Sequence, residues 1–370
     1  MAYRKIMRAV ADAENAPDAR EWDRTRTCPL DTVAKMGELG LFGLPFDERY
    51  GGSSSDFTTL CIAIEELARV DQSIAITLEA AVGLGINPIA EFGTEQQQDR
   101  WLPDLVAGRA LAGFGLTEPG SGSDASEITT RAELVDGTWI INGSKAFITN
   151  SGTEITSLVT ITAKTGPSEI SSFIIPTDTP GFEVEPAYDK MGWHASDTHG
   201  LRFEDCRVPE DHLLGTRGHG FRQFMSILDD GRIAIAALAV GVLQACLEET
   251  TAYAKDRTSF GQSIGSYQAV AFRIADIEVM AEAARLRTYR AAWLKDTGQP
   301  YRHAAARAKL YATESAVSAT RMATQIFGGA GFLDDTLVAR HYRDAKVLEI
   351  GEGTSEIQRI VIARGLGLDV

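Results

Sequence analysis

The spacing of apolar residues changes twice along the chain, and this change most constrains the fold. Residues 1–110 carry apolar side chains at helical spacing, most clearly over 56–70. From 111 to 217, β-branched residues and turn pairs replace that pattern, and long Ala-rich apolar segments follow over 218–370. Strands and helices do not alternate, so the pattern argues against a doubly wound nucleotide-binding fold.

The sequence therefore predicts a mainly α fold with a central β domain. Residues 1–110 are predicted to form an N-terminal α-helical domain, and 111–217 a small antiparallel β-barrel or sandwich. Asp136-Gly137 and Asn142-Gly143 predict hairpin turns, because both pairs tolerate positive φ. Residues 218–370 are predicted to form a C-terminal antiparallel four-helix bundle.

The helices of this bundle are predicted from Ala-rich segments joined by short loops. They are Arg232–Asp256, Tyr267–Lys295 and Tyr301–Phe327. A last helix is predicted to begin at Ser355, with Gln358 as its capping-box partner.

The charge balance restricts the partners of the chain. A net charge of −15, from 51 acidic and 36 basic residues, repels nucleic acids and anionic lipid surfaces. The four cysteines are scattered, which favours reduced thiols over a disulfide framework or a metal site. We find no apolar run that we expect to cross a bilayer and no apolar signal core near the N-terminus. We therefore expect a cytoplasmic protein without a membrane, nucleic-acid or metal partner.

One glycine-rich string, Gly120-Ser-Gly122-Ser-Asp-Ala125, matches the dinucleotide-binding fingerprint. That fingerprint requires a helix to open inside it, whereas the residues that follow are predicted to form strands. We interpret the string as a turn whose backbone amides approach a ligand closely.

Four longer strings together resemble the acyl-CoA dehydrogenases. They are Phe114-Gly-Leu-Thr-Glu-Pro-Gly-Ser-Gly-Ser-Asp124, Asp256-Arg-Thr-Ser-Phe-Gly261, Gln325-Ile-Phe-Gly-Gly329, and Tyr342-Arg-Asp-Ala-Lys346 with Glu352-Gly-Thr-Ser-Glu-Ile-Gln-Arg359. Each string alone is moderately specific. They occur in the order typical of the family, on the expected α, β, α pattern, and the resemblance covers nearly the whole chain.

This resemblance implies FAD as the cofactor and a homo-oligomer, typically a tetramer, that shares its cofactor sites. The residues implied around the flavin are Phe114, Leu116, Thr117, Gly122, Ser123, Phe147, Ile148, Thr149, Thr354, Ser355 and Glu356. The residues implied to reach the FAD of a neighbouring subunit are Arg257, Phe260, Gln268, Gln325, Gly328 and Gly329. Arg257 would offer a bidentate cation to the pyrophosphate.

The resemblance also implies the chemistry, which is α,β-dehydrogenation of an acyl-CoA thioester to the trans-2-enoyl-CoA. Glu352 would remove the α proton, its own amide would bind the thioester oxygen, and flavin N5 would accept the β hydride. Ser123, Arg232 and Gly353 would contact the substrate, and an electron-transferring flavoprotein would accept the electrons. Taken alone, Glu352 reads as an acid that complements a helix dipole, so its assignment depends on the surrounding motif.

Three positions depart from the family pattern. Gly351 stands where many straight-chain members have Tyr, which predicts a wider pocket mouth that tolerates branched or bulkier acyl groups. Phe147 replaces a Trp at the flavin, and His199 replaces an Arg whose contact stays open. Gly231 occupies the position from which some relatives supply the base.

The resemblance further implies that the reaction belongs to fatty acid or branched-chain acyl metabolism.

Other functions on the same fold stay open from the sequence. They are an acyl-CoA oxidase, a flavin monooxygenase, and a flavin-binding protein that lacks catalysis. Monooxygenase relatives lack the Glu base, which argues against that alternative here.

Overall fold

The computed structural model describes residues 2–370 and begins with a helical part. Its helices are α1 Ala2–Val10, α2 Ala19–Thr25, α3 Leu30–Glu38, α4 Phe57–Val70, α5 Gln72–Glu79, α6 Asn87–Phe92 and α7 Glu95–Val106. A wider π-helical turn over Ala80–Ile86 joins α5 to α6. Such turns are rare and recur at functional sites, and the turn follows directly after Glu79.

A single eight-stranded sheet follows. Its strands are β1 Leu111–Gly115, β2 Arg131–Val135, β3 Thr138–Thr149, β4 Thr156–Gly166, β5 Glu169–Pro176, β6 Phe182–Ala187, β7 Thr198–Pro209 and β8 Leu213–Leu214. The strands lie in the order β6-β7-β3-β2-β4-β5-β8, and β1 pairs with β4. That last pair runs parallel, so the sheet is mixed, although its other long ladders are antiparallel.

The two predicted hairpin turns have different outcomes. Asp136-Gly137 joins β2 to β3 as predicted, with Val135 paired to Thr138. The prediction for Asn142-Gly143 was wrong, because β3 runs through this pair and bulges there. Gly143 has φ +148, and a Cβ on it would lie 2.5 Å from Thr130 Oγ1, so glycine is needed for close packing rather than for reversal.

The C-terminal part is the predicted helical bundle. It contains α8 Gly220–Asp256, the two short strands β9 Thr258–Ser259 and β10 Gln262–Ser263, α9 Gln268–Asp296, α10 Arg302–Phe327, α11 Leu337–Ala345 and α12 Ser355–Gly365. Helix α8 packs against α4, α9 and α10, while α11 and α12 pack on α10. α8 begins at Gly220 rather than at Arg232, because Phe224 and Ile227 form an apolar contact with the start of the sheet part.

Two helical stretches are long and apolar enough to cross a membrane, judged by length and composition alone. They are Gln72–Phe92 and Gly220–Asp256, so the prediction that no apolar run reaches this length was wrong. In each stretch, 78% of the most apolar window is buried inside the protein. Both therefore contribute to the central core, where they form the walls of the site described next.

Candidate active site

Glu352 lies in a short loop between α11 and α12 and has an unusual backbone. Its φ is +52, in the left-handed region that side chains other than glycine rarely adopt. Its carboxyl atom Oε2 is buried and finds no hydrogen-bond donor among residues 2–370. Burial raises the pKa of this carboxyl, and contacts with Glu79, Lys309 and Arg232 oppose that rise. A strained, buried and unpartnered carboxyl is a candidate functional group.

Glu79, which the sequence did not single out, places a second carboxyl beside the first. It ends α5 and is fully buried. Burial and the neighbouring Glu352 raise the pKa of Glu79 well above its usual range. Neither oxygen of Glu79 has a donor among the described residues when both acids are ionised, so the pair is satisfied when it shares one proton.

Gly231 and Arg232 form the α8 wall of this site. A Cβ on Gly231 would lie 1.8 Å from Glu352 Oε2, so only glycine leaves room for the carboxyl as placed. Arg232 is 4% exposed and donates to the Asp229 carboxylate through Nη1, while its Nε has no partner among residues 2–370. The site thus combines two acids with a buried cation.

The start of α12 differs in detail from its prediction. The helix begins at Ser355 as expected, but the cap is Thr354, whose hydroxyl accepts from Ile357 N at 3.3 Å. Gln358 donates to Gly353 O at 2.8 Å instead of completing a capping box. Ser355 Oγ is buried without a partner among the described residues. Glu356 follows it on the exposed side of the helix.

Lys309 on α10 also enters this loop and was missed by the sequence analysis. It is fully buried, and its Nζ donates to Gly351 O at 2.7 Å and to Gly353 O at 2.5 Å. Those carbonyls stand on either side of Glu352. A lysine in an Ala-rich helix is usually exposed to solvent, so nothing in the sequence was a reason to select this one. Its two partners lie more than 40 residues away in the chain.

The loop that follows β1 is held by a buried ion pair. Lys145 Nζ donates to Glu118 Oε1 at 2.9 Å and to Leu116 O at 3.3 Å. Glu118 also accepts from the amides of Thr129 and Thr130, and Ala146 N donates to Thr117 O at 2.9 Å. The structure therefore places Thr117 directly beside the Phe147 segment of β3.

The residues predicted to contact the flavin in these two segments differ in solvent exposure. Phe114 and Leu116 bury their side chains, and Phe114 stacks on Phe224 with ring centroids 4.0 Å apart. Any cofactor contact of these two residues must come from their backbone. Gly122 and Ser123 are exposed, and a Cβ on Gly122 would meet nothing within 4 Å.

Phe147 is the most distinctive residue of β3. It has φ +62 inside a bulge, and its side chain is 65% exposed. Its ring lies 5.1 Å from that of Tyr188, whereas Ile148 turns into the core and Thr149 pairs with Thr198. An aromatic ring in a strained backbone and open to the outside is available for stacking on a planar ligand.

His199 makes the contact that the sequence left open. Its Nε2 lies 2.7 Å from Asp197 Oδ1 and its Nδ1 lies 2.7 Å from Glu185 O. The hydrogen bond to Asp197 raises the pKa of His199. Asp197 also accepts from Ser151 N and Gly152 N, so this imidazole supports the turn that follows the Phe147 segment.

The remaining predicted residues gather at the opposite end of the bundle. Tyr253 stacks on Phe327 with centroids 4.1 Å apart, which brings the ends of α8 and α10 together. All six are exposed: Arg257, Phe260, Gln268, Gln325, Gly328 and Gly329. The segment of α8 from Gly231 to Asp256 spans about 38 Å, so one subunit does not bring this group to Glu352.

The predicted cofactor FAD fits the residues that are present. The β part offers an exposed aromatic ring and open glycine turns, and Ser355 offers a buried hydroxyl that lacks a partner. At the distal end, Arg257 forms no ion pair or side-chain hydrogen bond with residues 2–370 and is free for a phosphate. Stacking, amide and guanidinium groups are the donor set that a flavin dinucleotide requires.

Comparison with known families gives three matches that together span nearly the whole chain. Residues 1–109 match the acyl-CoA dehydrogenase N-terminal domain, 113–206 the middle domain, and 218–367 the C-terminal domain. Among relatives, the chain is 48% identical to the probable acyl-CoA dehydrogenase YngJ of Bacillus subtilis, covering 98% of this chain and 96% of that one. It is 42% identical to the short-chain-specific acyl-CoA dehydrogenase of Clostridium acetobutylicum, covering 97% and 96%.

Solved structures show the same likeness. Butyryl-CoA dehydrogenase from Megasphaera elsdenii superposes with a TM-score of 0.96 at 40% identity, covering 99% of this chain and 97% of that one. A chain from the structure described as the electron transferring flavoprotein of Acidaminococcus fermentans gives 0.97 at 42%, covering 100% and 97%. A glutaryl-CoA dehydrogenase from Mycobacterium smegmatis in complex with FADH2 gives 0.95 at 28%, covering 100% and 95%.

Proposed function

We propose a function from one premise: the chain belongs to the acyl-CoA dehydrogenase family. The protein is accordingly an acyl-CoA dehydrogenase. We propose that it converts an acyl-CoA thioester to the trans-2-enoyl-CoA and that Glu352 removes the α proton. The observation that carries this assignment is the buried, unpartnered Oε2 of Glu352 in a strained loop beside Gly231.

The surroundings of Glu352 suit a base for a weakly acidic C–H bond. A carboxylate in a dry site is a stronger base than one in water, because burial raises its pKa towards the working pH. Glu352 takes the α proton, and the electron pair of that C–H bond forms the C=C bond as the β hydrogen leaves with its own pair. A hydrogen bond from Glu79 and the charges of Lys309 and Arg232 oppose this rise in the pKa of Glu352.

FAD, when bound, supplies the acceptor for the β hydride. The residues that would hold its ring are the backbone of the loop at Thr117 and the side chains of Phe147, Thr149 and Ser355. The Glu352 N–H would donate to the thioester oxygen, where negative charge develops as the α proton leaves. Ser123, Arg232 and Gly353 would contact the substrate.

The shape of the pocket mouth supports a substrate with a branched or bulky acyl group. A Cβ on Gly351 would meet only Val347 O, at 3.6 Å, so the space that a large side chain would fill stays open. Relatives named short-chain-specific share about two fifths of the sequence, which supports a small acyl group. We therefore propose a short acyl chain with branching tolerated at the mouth.

The electron acceptor and the assembly are part of the same proposal. We propose an electron-transferring flavoprotein as the acceptor and a homotetramer in which Arg257, Gln268 and Gln325 reach the FAD of a neighbouring subunit. The separation of about 38 Å along α8 supports a shared site, because one chain holds the two groups at opposite ends. A cytoplasmic location stays a prediction.

The test is anaerobic bleaching of the flavin by a panel of straight, branched and aromatic acyl-CoAs. Glu352→Gln should keep its yellow chromophore but bleach about 10³-fold more slowly, because the amide cannot accept the α proton. Bleaching of this variant at the wild-type rate would show that another residue is the base. A protein that stays colourless after FAD addition would instead indicate a scaffold, and rapid reoxidation of the bleached enzyme by oxygen would indicate an oxidase.

A further inference from the structure

Lys309 is the buried charge for which the proposed reaction has no assigned role. It lies on α10 among small residues of the bundle core, including Ala305, Ala308 and Ala312. Taking an ammonium out of water is costly unless its hydrogen bonds are replaced. Here they are replaced by the carbonyls of Gly351 and Gly353, which flank Glu352.

A neutral side chain already holds part of this loop. Gly353 O accepts from Gln358 Nε2 at 2.8 Å as well as from Lys309. An uncharged amide therefore suffices to satisfy that carbonyl, and a buried charge is not required merely to anchor the loop. The bond that only Lys309 makes is the one to Gly351 O, at 2.7 Å.

The Gly351 carbonyl belongs to the same peptide unit as the Glu352 N–H. In a planar trans peptide the C=O and N–H point in opposite directions, so fixing one fixes the other. Lys309 thereby directs the Glu352 N–H away from α10. No residue among 2–370 accepts a hydrogen bond from this N–H, so it is available to a ligand. A charge-assisted bond to the carbonyl also polarises the amide and makes its N–H a stronger donor.

We infer that Lys309 is a positioning residue that holds Glu352 in its left-handed conformation and strengthens the Glu352 N–H as the donor to the thioester oxygen. This inference rests on the proposed function. It assigns the charge on α10 a part in the reaction, although Lys309 itself touches neither the substrate nor the cofactor.

The ionisation of Lys309 gives a readout that a purely structural role would not move. Burial lowers the pKa of Lys309 to about 8, although Glu352 and Glu349 raise it and Arg232 lowers it further. The ammonium is therefore present below about pH 8 and lost above it. The wild-type rate of α-proton removal should decline above about pH 8, because the neutral amine polarises Gly351 O less.

The experiment isolates proton removal with an acyl-CoA whose β-methylene is replaced by sulfur. This analogue has no β hydrogen to transfer, so exchange of its α hydrogens with deuterated water, followed by NMR, reports proton removal alone. On the FAD-loaded enzyme, Lys309→Met should slow exchange about 10²-fold, because a slightly misplaced and weaker donor remains. The dissociation constant of the analogue should stay within about threefold, because Lys309 makes no direct contact.

Two further variants make the result specific. Lys309→Gln can keep a donor without the charge, so its exchange should be slower than wild type and should lack the decline above about pH 8. Thr313→Val, one turn further along α10, removes only a hydroxyl bond to Lys309 O and should exchange at the wild-type rate. Equal slowing in Thr313→Val would show that any disturbance of α10 suffices and would overturn the inference.

The exchange experiment gives different results if this inference fails and if the proposed function fails. If wild type and Glu352→Gln exchange equally, the base assignment fails. If Glu352→Gln is inactive but Lys309→Met exchanges at the wild-type rate, only the role of Lys309 fails. Should both Lys309 variants lose their flavin, the wild-type pH profile decides, because exchange that stays constant from about pH 7 to pH 10 would overturn the inference.

Discussion

The pKa of Glu352 depends on the neighbouring carboxyl of Glu79. Two adjacent carboxyls in a dry site cannot both ionise, and the pKa of Glu79 is the one raised well above its usual range. Glu79 is therefore the member of the pair that holds the shared proton, and its hydrogen bond to Glu352 lowers the pKa of that carboxyl. As the proposed base, Glu352 must be ionised to act, so the rate of α-proton removal should fall as the pH drops through its pKa.

Removing the Glu79 donor should therefore move the acid limb of the pH profile. We expect Glu79→Leu to shift this limb of α-proton removal to higher pH, because burial then raises the pKa of Glu352 without opposition from Glu79. Glu79→Gln is the matched control, since its amide still donates, and it should leave the limb near the wild-type position. A limb that stays in place or moves to lower pH in Glu79→Leu contradicts the shared-proton pair.

Gly351 should determine how wide an acyl group the site accepts. Its φ is not in the left-handed region and a Cβ there has space, so Gly351→Tyr should fold normally. We expect it to lower turnover of branched relative to straight acyl-CoAs about tenfold or more, because the ring narrows the mouth. The control is Gly351→Ala, which adds little volume. Equal loss on both substrate classes would show that the mouth does not select for branching.

Among secondary-structure elements, β3 and the loop after β1 depend on one buried ion pair. Burial alone would raise the pKa of Glu118, but the charge of Lys145 and hydrogen bonds from Thr129 and Thr130 lower it to about 2. A carboxyl with a depressed pKa stabilises the fold above its unfolded pKa. That stability is lost as the pH falls towards about 2.

Breaking the pair should destabilise the β part. Lys145→Met leaves Glu118 buried without its cation, and we expect the free energy of unfolding in urea to fall by about 3 kcal/mol. Flavin retention should fall with it, because Lys145 also holds Leu116 O beside the predicted cofactor loop. Lys164→Met, on β4 of the same sheet and without an ion pair to residues 2–370, should cost less than about 0.5 kcal/mol. Similar losses in both variants would mean that the pair contributes no special stability.

The sequence predicted the order of helices and strands better than their exact bounds and pairings, because the bounds and pairings depend on long-range contacts. The α, β, α order and the Asp136-Gly137 turn follow from local spacing and turn chemistry. The Asn142-Gly143 bulge depends on packing against Thr130, and the early start of α8 depends on contact with the sheet part, neither of which is local. The parallel pairing of β1 with β4 is likewise a long-range contact.

In the candidate site, too, the residues that belong to a local sequence pattern could be predicted, and those that depend on long-range contacts could not. Glu352 could be predicted because it lies inside a continuous motif. Glu79, Lys145 and Lys309 could not, because each is a charged residue whose importance comes from burial and from partners distant in sequence.

At the scale of the whole molecule, one face of α9 is unusually apolar. Its side chains repeat every seven residues and are more than half exposed: Phe272, Val279, Leu286 and Trp293. An exposed apolar stripe along one face of a helix is typical of a subunit interface. Phe272 lies near the start of α9, just after the segment that contains Arg257 and Gln268, which supports the proposed shared cofactor site.

Two substitutions should test that assembly. Val279→Glu should convert the proposed oligomer to smaller species and release FAD, measured by light scattering and flavin absorbance, because a charge would be buried in the proposed interface. Val135→Glu, at an exposed apolar position of the β2–β3 hairpin, should leave both unchanged. An oligomer that persists in Val279→Glu would place the interface elsewhere.

Arg257 should link assembly to cofactor retention. We expect Arg257→Ala to weaken FAD retention without changing the fold of the isolated chain, because its guanidinium has no partner among residues 2–370. Arg257→Lys, which keeps the charge but not the bidentate geometry, should be intermediate. A fully loaded Arg257→Ala oligomer would refute the shared site.

The fit of Gly231 against Glu352 also limits how this enzyme could change over evolutionary time. A side chain at 231 and the carboxyl at 352 would occupy the same volume, since their atoms would lie 1.8 Å apart. An acid gained on α8 would therefore push the carboxyl of the loop out of its present position, because the flexible end of Glu352 would have to move to admit it. A lineage that moved its base between the two positions would have passed through an enzyme whose loop carboxyl was displaced.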